Sequence, residues 1–338
     1  MSLYCGIDLH STNCQVVVLD QSLVTVAERR HRNDLEEILK FLEPHREELV
    51  GIAVESTRNW YWLVDGLMDA GHRLHLANTS AIQQYEGLKY TDDRHDARWL
   101  ARLLALGILP EGYIYPRQER PWRDLLRRRA FLVRSRTSQL LAIHALFEQY
   151  TGRSVKGNEI KQWTATAIKE QIEDPRVALA VTAMRRVVDV MTAQIRLVEK
   201  EVVGYAKLRK EFEVLRTARG IGEAIALTIM CEVGDIRRFR KVGNFASYCR
   251  CVKTERLSNG KRKGAGNKRN GNPYLSWAFT EAAHFAIRYE PRAKSFYERK
   301  RLATNRIVAV RALANKMARG CYYVLRDQIP FEPQKAFG

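Results

Sequence analysis

Two carboxylates three residues apart, Asp93 and Asp96 in the stretch KYTDDRHDAR (89–98), have the clearest capacity for chemistry in this chain. The apolar run WLARLLAL follows directly, so a helix beginning near Thr91 places both acids on one face about a turn apart. Anions that close repel one another. The pair is tolerated when it is solvated or when a divalent cation lies between its members. A helix start also accounts for it, with Thr91 or Asp92 as the N-cap and acids favoured in the first turn. Two more carboxylates bear on the choice: Asp8, inside an otherwise apolar strand, and Glu55, at the end of another. A charge in a central strand is costly unless something pairs with it.

The elements that must position these groups follow from periodicity. YCGIDL and CQVVVL read as strands joined by HSTN, and residues 24–30 as a third strand completing a meander. Residues 33–48 carry Leu35, Ile38, Leu39 and Leu42 at helical spacing. LVGIAVES is a continuous apolar run, typical of a strand buried on both faces. A helix through WYWLVDGLMDAG, a strand RLHLAN and the helix after Thr91 complete the set. Three antiparallel strands, then helix, strand, helix, strand and helix, is the order of an α/β ribonuclease-H-like (RuvC-like) domain. In that fold Asp8, Glu55, Asp93 and Asp96 converge at one end of the sheet. Four oxygen donors from separated segments suit Mg²⁺, or Mn²⁺, and in-line phosphoryl transfer.

Charge sets this region apart from the remainder. Residues 1–110 hold 11 Lys and Arg against 16 Asp and Glu, whereas the remainder holds 46 against 22, giving the chain its net +19. That balance points to a polyanionic partner, most simply nucleic acid. The six cysteines form no zinc-spaced cluster, and no apolar run approaches membrane-spanning length. A cytoplasmic protein with no membrane partner is expected.

GIDLH around Asp8, VEST around Glu55 and the DxxDAR of 93–98 resemble the DEDD motif of the insertion-sequence-110 transposases, the bridge-RNA-guided recombinases. The likeness runs through the chain in matching order. It implies Asp8, Glu55, Asp93 and Asp96 as the metal ligands and leaves Asp92 over. It also implies donor and target DNA and a structured guide (bridge) RNA as partners, with a homo-oligomer, dimer or tetramer.

Downstream, a basic helix carries arginines at 117, 120, 123, 127, 128, 129, 134 and 136. Phosphate contact is expected there, notably from Arg127, Arg128 and Arg134. Val177, Val181, Met184, Val188, Met191, Ile195, Val198 and Val202 alternate spacings of four and three, a coiled-coil seam. The seam has two possible partners, the basic helix of its own chain or another copy; the resemblance implies the second. Gly220 and Gly222 form either a helix-hairpin-helix turn approaching a phosphate or a helix-packing turn. Residues 241–280 hold nine Lys and Arg and one acid, with Lys261, Arg262, Lys263, Lys268 and Arg269 in a Gly- and Asn-rich stretch. Ser258 heads it. By composition it is a turn former; the resemblance implies a nucleophile that attacks DNA.

The expected organisation is a catalytic domain at 1–112, a basic helix and coiled-coil region at 113–208, a mainly α C-terminal domain at 209–330 and an unstructured tail at 331–338. The leading functional expectation is an RNA-guided DNA recombinase acting through a covalent phosphoserine intermediate with Mg²⁺ assistance. The alternative is a metal-dependent structure-specific nuclease or Holliday-junction resolvase using water. A non-catalytic nucleic-acid scaffold is disfavoured by the four placed carboxylates. A sugar kinase, suggested by GIDLHST, lacks a second glycine-rich phosphate motif.

Overall fold

The computed structural model describes residues 2–82, 92–254, 256–259, 261–264 and 270–338, without the side chains of 256–258 and 262. Thr91, Lys268 and Arg269, expected above as a cap and as phosphate contacts, lie outside the described residues. The chain forms two compact units, Met1–Arg117 and Gln118–Gly338.

The first unit contains β1 (Leu3–Leu9), β2 (Asn13–Asp20), β3 (Thr25–Arg32), α1 (Leu35–Leu42), β4 (Leu49–Glu55), α2 (Tyr61–Asp69), β5 (Leu74–Ala77) and α3 (Asp93–Ala105). Helix α1 opens on Asp34, whose carboxylate accepts from the amides of Glu36 and Glu37, and gives way to a 3₁₀ turn where Pro44 cannot donate. Among the described residues the strands form one sheet in the order β3-β2-β1-β4-β5. Strands β1, β2 and β3 are antiparallel neighbours, and β4 and β5 run parallel to β1. This mixed α/β sheet is consistent with a ribonuclease-H-like core.

Alternation along the strands gives the sheet two apolar faces. Cys5, Ile7, Val16, Val18, Ile52 and Val54 pack with Ile38, Leu42, Leu63 and Leu67 of α1 and α2. Val17 and Leu19 meet Ala97 and Ala101 of α3, and Ala53 meets Leu100. Each buried aliphatic side chain contributes about 1.5–3 kcal/mol, so α3 is held to the sheet through small residues at close range. Gly6 is the tightest point. A Cβ there would overlap the Ala97 carbonyl and stand 2.6 Å from the Ala101 amide nitrogen. Gly6→Ala is therefore expected to cost about 3 kcal/mol by overpacking and to shift the helix bearing Asp93 and Asp96. Urea unfolding and divalent-cation titration check both effects; a neutral variant would mean that α3 moves freely.

The second unit begins with α4 (Arg120–Thr151), the short α5 (Gly157–Ile160) and α6 (Ala165–Gln171), and α7 (Pro175–Ala206). Helix α4 stops at Gly152, whose φ of 68° is left-handed. Helix α7 opens on Asp174 followed by Pro175. The two long helices are antiparallel. Trp122 stacks on Tyr205 with centroids 4.2 Å apart, Arg129 binds Glu199, and Ile143 and Phe147 share a core with Val177, Val181 and Val188. The heptad seam of α7 thus packs on α4 of its own chain.

Next come α8 (Lys210–Arg216), α9 (Glu223–Val233), α10 (Val242–Tyr248), the hairpin β6 (Arg256–Ser258) and β7 (Lys261–Gly264), α11 (Pro273–Tyr289), α12 (Pro291–Ala303), α13 (Arg306–Asp327) and α14 (Pro333–Phe337). Phe245, Phe279, Leu313 and Met317 lie in their shared core. Gly220 presses on α11, where a Cβ would stand 2.6 Å from the Ala282 carbonyl oxygen. Close packing therefore accounts for this glycine. The closing segment differs from the expected unstructured tail: Phe331 and Phe337 are both buried, and Gly320 leaves room for the Phe331 ring. Two aromatic anchors outweigh the polar residues between them. Among the described residues no helix is long and apolar enough to cross a membrane.

Candidate active site

Asp8 is the penultimate residue of β1 and projects on the face covered by α3, the face opposite Ile7 and Leu9. Its side chain is only 4% exposed. Parallel pairing of Ile7 with Val54 sets Glu55 beside it, at the carboxyl ends of both strands. Above them begins α3. The Asp92 carboxylate accepts from the His95 amide at 2.8 Å and so caps the helix, while Asp93 and Asp96 occupy its first turn. His10, just past β1, brings the elements together. Its Nε2 lies 3.1 Å from Asp8 Oδ2 and 3.2 Å from Asp93 Oδ1.

These contacts are short, yet Nε2 makes no aligned hydrogen bond although it is buried. One donor atom from each of Asp8, His10 and Asp93 falls within 4.8 Å of the others. The surrounding carboxyls are strained electrostatically. Burial, a hydrogen bond with Asp8 and the charges of Asp8 and Asp96 push the Glu55 carboxyl up to about 8. Burial and the charge of Asp8 also raise Asp96. An unaligned imidazole nitrogen among carboxylates that resist ionising together fits a divalent cation, whose charge reverses this penalty. Oxygen donors dominate, which suits Mg²⁺, and the imidazole is tolerated better by Mn²⁺.

A pH dependence follows. Glu55 has its pKa raised on folding, so its protonated form is the one the fold favours. The metal-free protein then loses stability as pH rises from the ordinary 4.5 through about 8. A bound cation must displace that proton, so affinity is expected to climb with pH and level off near 8. Mn²⁺ titration calorimetry in buffers of different ionisation enthalpy reads the proton release, and Glu55→Gln should remove it. Affinity that is flat between pH 6 and 8 would refute the coupling.

The structure revises several expectations. The covalent phosphoserine reading is corrected: the side chains brought together for chemistry are an Asp/His/Asp cluster, a donor set for metal-dependent hydrolysis. Ser258 ends β6, paired with Lys261 across a turn in which Asn259 has φ of 50°. Asn-Gly is the strong signal for such a hairpin, so the turn-forming reading explains why this serine is there. Lys261 and Lys263 are exposed on β7, and the Arg262 side chain lies outside the described residues. Arg127 is engaged by the buried Glu232 through two bonds of 2.7 and 2.8 Å, whereas Arg128 and Arg134 are exposed. Gly222 caps α9 with open space around it. His10 is the residue sequence reasoning missed. Its signal was the i, i+2 spacing from Asp8, which keeps both on one face of an extended chain.

The chain is similar to known transposases. The family described as Transposase IS116/IS110/IS902 family matches residues 212–298, and a DEDD-type IS110 family, described as Transposase, matches residues 5–151. The y4qE protein of Sinorhizobium fredii, which carries a transposase name, is 26% identical over 249 residues, covering 72% of this chain and 60% of that protein. A Pseudomonas aeruginosa protein named Probable family 20 transposase is 21% identical over 339 residues, covering 97% of this chain and 98% of its own length. The transposase for insertion sequence element IS1111A of Coxiella burnetii is 24% identical over 247 residues, covering 67% and 64%. The chain thus spans less than two thirds of the first and third of these relatives and nearly all of the second.

Proposed function

Because this chain belongs to the IS116/IS110/IS902 family of transposases, we propose that its first unit cuts DNA by metal-dependent hydrolysis, with water as the nucleophile. The observation that carries this reading is the cluster of Asp8, His10 and Asp93. Asp8, Glu55, Asp93 and Asp96 are the proposed ligands of Mg²⁺ or Mn²⁺, with His10 supplying a nitrogen. When bound, such a cation stabilises charge on the phosphate and lowers the pKa of water. The protein contributes geometry. Asp8 is fixed by the central strand, Glu55 gives up its proton to become a ligand, and the first turn of α3 presents Asp93 and Asp96 from above.

The basic second unit is proposed to hold the nucleic acid, with Arg128, Arg134, Lys261 and Lys263 as exposed cations. Donor and target DNA are the substrates, cut as a structure-specific nuclease or junction resolvase cuts. The family resemblance adds a structured RNA partner and a homo-oligomer.

The test is cleavage of branched DNA with Mn²⁺ in ¹⁸O-labelled water. One ¹⁸O on each new terminal phosphate is expected; a denaturant-stable protein–DNA adduct would overturn the proposal. Asp93→Asn should abolish cleavage. Asp92→Asn should stay within a few fold, since asparagine caps a helix as well as aspartate does. Equal loss from both would remove Asp93 from its assigned place.

A further inference from the structure

Beside the carboxylate cluster a cleft of about 270 Å³ opens between the sheet and the start of α3, with Gln15, Arg29 and Arg30 in its lining. Register explains the position. Asp8 of β1 pairs with Gln15 of β2, and Gln15 pairs with Arg30 of β3. The three side chains form a row on one face of the sheet, leading outward from the catalytic cluster.

Gln15 is the unusual member. It is only 4% exposed, and its amide makes no hydrogen bond to any described residue. Its polar atoms are not among the buried, unsatisfied ones, so the amide opens onto the cleft, where a ligand can take the place of water. The charges around it are sorted. Glu28 is taken by Arg94 at 3.5 Å and Arg98 at 3.1 Å, and Asp92 by its capping bond. Arg30 donates through Nε to Asn13 at 3.2 Å and keeps its far end 3.7 Å from Asp93. Arg29 alternates to the other face of β3, the face on which His31 meets Phe41 of α1, so Arg30 is the cation of this strand that faces the cleft. What remains for a ligand is an amide donor flanked by the Arg30 guanidinium. Among the described residues no aromatic ring lines the cleft.

We propose that this cleft seats a backbone phosphate of the DNA strand being cut, one to three nucleotides from the scissile position. Two strand spacings separate Asp8 from Arg30, about 10 Å, which sets that range. The Gln15 amide donates to one phosphate oxygen, and Arg30 closes on another. A cation drawing on Asp93 loosens its hold on Arg30, so filling the metal cluster and seating the phosphate support each other. The placement beside the scissile phosphate rests on the hydrolase reading above.

The test uses the full chain with Ca²⁺ and a fluorescein-labelled single-stranded DNA, titrated with salt. Gln15→Leu and Arg30→Ala are each expected to weaken binding, by about tenfold for Gln15→Leu. Loss of the cation in Arg30→Ala flattens the log–log salt dependence by about 0.7, whereas Gln15→Leu leaves the slope unchanged. Gln15→Leu should also melt close to the parent, since its amide bonds no described residue. Wild-type affinity in both variants, with the wild-type slope in Arg30→Ala, would overturn the proposal; should Gln15→Leu misfold, Arg30→Ala, an exposed change, decides alone. Terbium luminescence reports the metal cluster separately. If the parent binds no Tb³⁺, the hydrolase reading fails, and the DNA titration still decides whether the cleft holds a phosphate.

Discussion

Asp8→Asn is expected to lower Mn²⁺-dependent DNA cleavage by about 10²–10³-fold or more while raising the melting temperature of the metal-free protein. Activity falls because Asp8 is the most buried of the four carboxylates and touches both His10 and Glu55. No other group can take its place at the end of the central strand. Stability rises for the opposite reason. Without a cation, burial and then the Asp8 hydrogen bond and charge hold Glu55 protonated up to about 8, and burial and the Asp8 charge raise Asp96. An amide of the same shape removes that repulsion and can still accept from Glu55. A rise of roughly 2–4 °C is expected at pH 8, fading only below about pH 4, where Glu55 is protonated in folded and unfolded chains alike. Calorimetry with and without Mn²⁺ reads it directly. A variant that is both inactive and less stable would mean that Asp8 is a structural acid, and the metal-site reading would fall.

The second large effect is in the other unit. Glu232→Ala is expected to cost about 3 kcal/mol, the lower end for breaking a buried ion pair, because the Arg127 side chain keeps about a third of its surface exposed. Glu232 is itself 3% exposed and receives both the Arg127 fork and the Asn272 amide, at 2.7 Å. Asn272 in turn caps α11 by accepting from the amides of Tyr274 and Leu275. Arg127 also lies over the Tyr274 ring at 4.8 Å. Removing one carboxylate thus strands a guanidinium and an amide and loosens a helix start, where α4, α9 and α11 meet. Urea unfolding measures the loss. Glu232→Gln keeps the shape and gives up only the charge, so it should fall between the two; a cost under about 1 kcal/mol for the alanine variant would show the pair to be screened by water.

These two sites show how far sequence alone could reach. The carboxylates of the first unit were legible because strand alternation and parallel pairing are local rules, and together they put Asp8 and Glu55 at the same end of one sheet. His10 was hidden by the turn chemistry of HSTN, which is a sufficient reason for its neighbours but not for a histidine. The arginines of α4 were harder. Within their own stretch they outnumber the acids, yet Arg127 and Arg129 find Glu232 and Glu199, which are 105 and 70 residues away. Such partners are invisible to a count along the chain. Ser258 shows the reverse: Asn259 and Gly260 already spell a hairpin, and the local rule describes its surroundings better than the likeness does.

Strand β3 carries one more consequence. It is an outer strand of the sheet, and an open edge of this kind is a template on which another chain can add itself. The sequence ERRHR over residues 28–32 puts four charges along it. Mutual repulsion between two such edges keeps copies of the unit from zipping together. The arginines that flank the cleft are therefore also what keeps the sheet at its present width, and any variant that neutralises several of them together trades nucleic-acid affinity for a tendency to aggregate.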